Sequence, residues 1–275
     1  MGVARKVEVF GCDGSEWLIH GPGMGAHGVI MSGVKGLYHP TRVPRSQTPA
    51  FMPGAIPGAP KTDPTAVDLK IFSSAPTGEQ WELVEEAWWN AWSDEEDSII
   101  RVWNRAGTKY REQPVRIQTW PDDSMDYEPD EDWPWAIPLI SYRPGWRSQA
   151  ITSTWTGTGT GSLQFVNPSD QDIYVQIALT NTGVEKWTIP DGISGVNIEL
   201  EVFDASVGDL FVDTDPFAMQ LESVVDSQIA ASLLGLRFRH PIPKKTLTPV
   251  SVPISCVGGT GTAKAWMTPL WKRPW

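Results

Sequence analysis

The sequence predicts a mainly β protein with one helix, and three observations predict it. Short stretches alternate apolar and polar residues, the pattern of half-buried strands. Clusters of Gly, Pro, Asn and Asp separate them and mark turns. A single stretch, Thr77 to Trp92, carries an apolar stripe at helical spacing. Strand signals are denser in the second half, which reads as a sandwich or jelly roll. A boundary near residue 140 divides the 275 residues into domains 1–140 and 141–275.

The elements follow in order. Val7 to Phe10 and Glu16 to His20 alternate on either side of the Cys12-Asp13-Gly14-Ser15 turn, which predicts a hairpin. Val29 to Met31 and Val34 to Tyr38 form two further extended pieces. From Pro40 to Pro64 the chain is rich in Pro and Gly, and no regular element is expected. A loop this long either meets a partner or is a disordered surface segment. Val67 to Phe72 is a clean half-buried strand.

Thr77 and Gln80 then form a capping-box start for the helix. Trp81, Val84, Trp88, Ala91 and Trp92 share its apolar stripe, with Glu79, Glu82 and Glu86 opposite. Leu83 and Trp89 flank the stripe, which implies a second covering surface such as a neighbouring subunit. Ser98 to Trp103 and Thr108 to Trp120 make a long hairpin about Asn104 to Gly107. Pro114 places its strand at a sheet edge or a bulge.

In the second half, Gln149 to Trp155 is extended and Thr156 to Gly161 reads as a flexible turn. Leu163 to Val166, Ile173 to Thr180, Trp187 to Ile189, Val196 to Phe203, Leu210 to Val212, Leu247 to Cys256 and Ala263 to Met267 are short strands. Turns fall at Asn167 to Asp170 and Pro190 to Gly192. The Gly258 to Gly261 run reads as a loop.

Composition narrows the function. The formal net charge of −11 opposes the basic face that a nucleic-acid binder or an anionic-membrane binder needs. Protein partners or neutral sugars fit better. No apolar run reaches the ~20 residues of a membrane helix. The N-terminus has neither a signal-peptide core nor the myristoylation pattern, since Lys6 stands where Ser or Thr is required. Cys12 and Cys256 allow one disulfide but read better as two thiols in a reducing cytoplasm. The 15 Trp residues, against 5 Tyr and 8 Phe, belong mostly to cores and subunit interfaces. Sugar-stacking platforms are the sharper alternative.

Catalytic and metal motifs are missing. His20, His27, His39 and His240 have no partner at zinc-ligand spacing; a meeting of His20 and His27 across a turn is the one alternative to reading them as satisfied or exposed histidines. There is no HExxH, nucleophile elbow or phosphate loop. The acidic run Asp126 to Asp132 starts like a calcium loop but has Glu131 where Gly is needed and Ile137 where Glu is needed. It reads as a solvated loop or a contact for a basic partner. A glycosidase needs only two carboxylates, and nothing singles out a pair among 33 acidic residues.

The order of these elements resembles the distal tail protein family of siphophages. The resemblance rests on Trp17-Leu-Ile-His-Gly-Pro-Gly, then Gly33-Val34-Lys35-Gly36-Leu37, the long loop, the strand, the single helix and the long hairpin. It continues through Phe165-Val-Asn-Pro-Ser-Asp170 and Trp187-Thr-Ile-Pro-Asp-Gly192. Minor tail proteins of phages infecting actinobacteria look similar, with like Trp and Pro richness.

The resemblance implies a β-barrel or sandwich-like first domain that closes into a hexameric ring beneath the tail tube. It implies a galectin-like second domain that holds fibre or receptor-binding proteins. The implied partners are further copies of the chain, the tail tube protein and the tail hub. The implied location is the virion tail tip, after assembly in the host cytoplasm, with no enzyme activity and no cofactor. Candidate subunit contacts are Leu83 and Trp89 on the helix, Pro53 and Pro57 in the loop, and the Pro114 strand. The rival readings are a carbohydrate-binding module for the host wall and a wall-cleaving enzyme.

Overall fold

A computed structural model describes residues 5–48, 50–51, 53–58, 61–121, 132–201 and 208–275. The chain forms two compact units. One runs through Ser148 and takes back Lys272–Trp275, and the other is Gln149–Trp271.

The first unit contains β1 (Val7–Phe10), β2 (Glu16–His20), β3 (Val29–Lys35), β4 (Arg42–Val43), β5 (Ser46–Gln47), β6 (Ile56–Pro57), β7 (Lys61–Thr62) and β8 (Thr65–Ser74). Helix α1 (Gly78–Asn90), β9 (Ser98–Trp103), β10 (Tyr110–Ile117), β11 (Asp132–Ser141) and β12 (Trp146–Ser148) follow. The main sheet has the order β2-β1-β9-β10-β11-β8-β3, and its end strands β2 and β3 come near each other. Each strand turns alternate residues inward, as the period of two requires. Thus β8 buries Val67, Leu69 and Ile71, and β11 buries Trp135, Ile137 and Leu139. The curled sheet therefore encloses a core.

The β1–β2 hairpin forms as the alternation predicts. The two pieces after residue 28 are one strand, β3, with a bulge between Met31 and Gly33. The expected edge position of Pro114 is not met. Pro114 is buried and stands opposite Ile99 of β9. On its other side, Arg111 and Glu112 pair with β12 while Arg116 and Ile117 pair with β11. Pro114 sits where β10 changes partner, and its missing N–H breaks no ladder there.

Helix α1 starts where the sequence predicts. Thr77 is the N-cap, and its Oγ1 accepts from the Gln80 backbone N–H at 3.3 Å. Thr77→Ala is expected to destabilise the protein by about 1 kcal/mol in urea denaturation, the usual worth of such a cap. A shift within experimental error would mean that tertiary packing alone holds this helix start.

The second unit contains β13 (Ile151–Asn167), β14 (Val175–Thr182), β15 (Lys186–Pro190), β16 (Asn197–Glu201), β17 (Leu210–Asp213), β18 (Leu221–Ser223), a 3-10 turn (Ile229–Leu233) and β19 (Thr246–Met267). The sheet order is β16-β15-β19-β14-β17-β18, with β13 on β19. The Thr156–Gly161 run and the Gly258–Gly261 run are not loops. Both lie inside long strands that pair with each other from Ile151↔Met267 to Asn167↔Thr246.

That ribbon folds over. The Gln164 N–H donates to Ser153 Oγ at 2.8 Å, although they lie 11 residues apart on one strand. A straight strand would hold them about 36 Å apart. The corner lies between Gly157↔Gly261 and Gly159↔Cys256. There β13 contributes Thr158 alone, while β19 contributes Val257 to Thr260 on the outside of the bend. Gly258 takes the left-handed φ of 95° that this corner needs. One core, including Phe165, Ile177, Leu179, Trp187, Ile254 and Met267, lies within the folded unit. The result is the expected sandwich, built from fewer and longer strands than the sequence implies.

Candidate interaction surfaces

The first surface is the outer side of α1. Its inner side is fixed by a cluster of tryptophans. Trp81 and Trp88 are buried, as are Ala91 and Trp92 just past the helix, so the predicted stripe is core except for the half-buried Val84. Trp17 of β2 meets Trp88 edge-on at 5.1 Å, and the Trp81 Nε1–H donates to Ser73 Oγ at 3.1 Å.

Glu85 also lies on this inner side and is buried. Its carboxyl oxygens accept from Trp89 Nε1 at 2.7 Å and from Trp135 Nε1 at 2.8 Å. Sequence reading missed Glu85. The available signal was its position four residues after Trp81 and three before Trp88, which puts a carboxyl group on an apolar stripe.

Outside, Leu83 is 63% exposed. With Ser15, Glu16, Trp17, His27, Val84 and Ala87 it lines an open, mainly apolar groove beside the β2–β3 seam. Glu79 and Glu86, four residues before and three after Leu83, share its face and are exposed, as are Glu82 and Glu16.

The second surface is the segment between β3 and β8. It is not structureless. β4 pairs with β7 and β5 with β6, making an antiparallel arm. The arm is pinned at its base by Asp63 N–H to Thr41 O at 3.1 Å, and further out by Gly58 N–H to Arg45 O at 2.7 Å. From residue 42 to residue 58 every described residue is exposed. Phe51 is 99% exposed, and Ile56 and Val43 are also open to solvent. Arg42 and Arg45 form none of the ion pairs found among the described residues, whereas Lys61 pairs with Asp63 at 2.6 Å.

The five residues predicted as contacts therefore fall in different settings. Leu83 sits on the groove, and Pro53 and Pro57 lie exposed on the arm. Trp89 is half-buried and packs edge-on against Trp135 at 5.0 Å, with Trp120 tilted beyond it at 6.2 Å. Pro114 is interior, so the edge-strand reading that made it a candidate does not hold.

In the second unit, the buried Asp191 accepts from the backbone N–H groups of Arg239 and His240 and meets His240 Nδ1 at 2.7 Å. It ties the Pro190–Gly192 turn to residues 239–240. The two cysteines are free thiols, with Cys256 buried. Among the described residues no group of three His, Cys, Asp or Glu side chains is placed to hold a metal. Most of the acidic run, residues 122–131, lies outside the described residues. No described helix is long and apolar enough to cross a membrane.

A curled sheet carrying one helix, followed by a sandwich built on a folded ribbon, is a fold also found in solved phage tail-hub and baseplate structures. The solved structure of the SPP1 Dit protein, a paradigm of the hub adsorption apparatus in phages infecting Gram-positive bacteria, shares it. The TM-score is 0.59 at 13% identity, over 95% of this chain and 98% of that one. The phage P2 baseplate in its activated conformation, solved with calcium and with strontium, contains similar chains. Their TM-scores are 0.53 and 0.54 at 8% identity, over 96% of this chain and 98% and 97% of theirs. No protein-family model and no curated protein sequence matches the chain. At these identities the likeness is one of fold.

Proposed function

We propose that this chain is a structural subunit of a phage tail tip. Copies of it form a closed ring, a hexamer, through the first unit. The ring joins the tail tube to the tail hub and adsorption apparatus, and the second, galectin-like unit holds fibre or receptor-binding proteins. The subunits are made in the host cytoplasm and end in the virion. The single observation behind this reading is the fold shared with SPP1 Dit across nearly the whole of both chains. An exposed apolar arm and an unfilled apolar groove in the first unit are the kind of surfaces that a ring buries.

Light scattering of the purified protein over a concentration series tests it. A ring of six 30.4 kDa chains has a mass of about 180 kDa. A monomer at every concentration, with retention on purified host cell walls, would instead support carbohydrate binding. One observation favours that second reading. Thr152, Thr154 and Thr156 of β13 stand opposite Trp266, Lys264 and Thr262 of β19, and Lys264 lies over the Trp266 ring at 5.1 Å. Such a polar face with an aromatic plate suits a glycan.

A further inference from the structure

We infer that the arm of one copy seats in the α1 groove of the next copy. The inference rests on the ring reading and adds to it which surfaces meet.

The apolar chemistry matches. Phe51, Ile56 and Val43 on the arm have no cover from their own unit. The groove offers Trp17, Leu83, Val84 and Ala87. The charges match as well. From Thr41 to Asp63 the arm carries Arg42, Arg45 and Lys61 against Asp63 alone, on a chain of net charge −11. The groove is rimmed by the exposed Glu16, Glu79, Glu82 and Glu86, none of which has a basic partner among the described ion pairs.

The reach is sufficient. From Arg42 through Gln47, β4 and β5 in extended geometry carry the arm about 17 Å outward from its base. A unit of ~150 residues has a radius of gyration of about 15 Å. Every described residue from 42 to 58 is exposed, so the arm stands clear of its own unit and is open to a neighbour. Arm and groove are different patches, so a contact that repeats head-to-tail from copy to copy closes into a ring when the rotation between copies closes, as the ring reading requires. A two-fold pair with each arm in the other copy's groove would join the same unlike surfaces but would stop at covalent dimers, and that result would overturn the head-to-tail seat.

Full-length protein carrying Cys12→Ser, Phe51→Cys and Leu83→Cys tests the seat by mild oxidation and non-reducing electrophoresis. A ladder of covalent multimers up to the ring is expected, and either cysteine alone gives at most dimers. A ring by light scattering with no ladder, or with only an intramolecular disulfide, overturns the arm seat and leaves the ring reading standing. A wild-type protein that stays monomeric overturns both.

Arg42→Glu with Arg45→Glu supplies a second measurement. Assembly should weaken roughly tenfold at low salt, less so at high salt. Combining it with Glu79→Lys, Glu82→Lys and Glu86→Lys should restore assembly. Reversal without rescue would mean that the arm meets another surface.

Discussion

Gly261→Ala is expected to destabilise the second unit by about 3 kcal/mol, and a larger side chain there is expected to block its folding. Gly261 is buried on β19, at the inner side of the ribbon corner. A Cβ added there would stand 2.4 Å from Cη2 and Cζ2 of Trp187 and 3.2 Å from Cys256 Sγ. Trp187 is fully buried in the core, so its ring has no free space to enter. The corner has the same arrangement on its other strand, where a Cβ on Gly161 would fall 1.7 Å from Trp155 Nε1.

Differential scanning calorimetry of the full chain would follow the loss, since two units need not unfold in one step. If the clash is the cause, Trp187→Phe in the Gly261→Ala background should recover part of the stability, although Trp187→Phe alone costs some. A double-mutant cycle without such coupling would place the cost in the backbone instead. A Gly261→Ala change below about 0.5 kcal/mol would mean that the indole seat yields.

Local pattern was legible where one element decides the outcome. The β1–β2 hairpin, β8 and the Thr77 cap follow from alternation and from capping chemistry, and neither depends on distant chain. The misreadings share a cause. Thr156–Gly161 and Gly258–Gly261 look like turns because Gly usually marks a break. Here Gly161 and Gly261 are small so that Trp155 and Trp187 can lie across them, a need set by residues far along the chain. Pro114 looked like an edge because Pro lacks a donor, yet a strand that changes partner also tolerates it. The Pro40–Pro64 segment looked structureless because pairing as short as two residues leaves no periodicity. Of the proposed surfaces, the sequence singles out Leu83 and the arm prolines as candidates, whereas Phe51, Arg42 and Arg45 carry no pattern until the arm is known to be exposed.

Glu85→Leu is expected to cost about 2–4 kcal/mol of first-unit stability, because the buried Trp135 N–H and the part-buried Trp89 N–H lose their acceptor and a buried loss costs ~1–3 kcal/mol. Leucine fills similar space, so the loss reads the hydrogen bonds rather than a cavity. Glu85→Gln should cost less, about 2 kcal/mol, since one amide oxygen remains while the amide nitrogen, a donor, faces an indole donor. The partners supply the control. With Trp135→Phe and Trp89→Phe in place neither N–H needs an acceptor, and Glu85→Leu should then be nearly neutral. An equal cost in both backgrounds would assign Glu85 a packing role only. The same residue links core to surface. Glu85 holds Trp89 and Trp135 at the inner side of α1, and this fixes the rotation of the helix that presents Leu83, Glu79 and Glu86 outward. Glu85→Leu should therefore also lower the ring fraction at temperatures where the protein is still folded, and a ring fraction that tracks unfolding alone would remove that link.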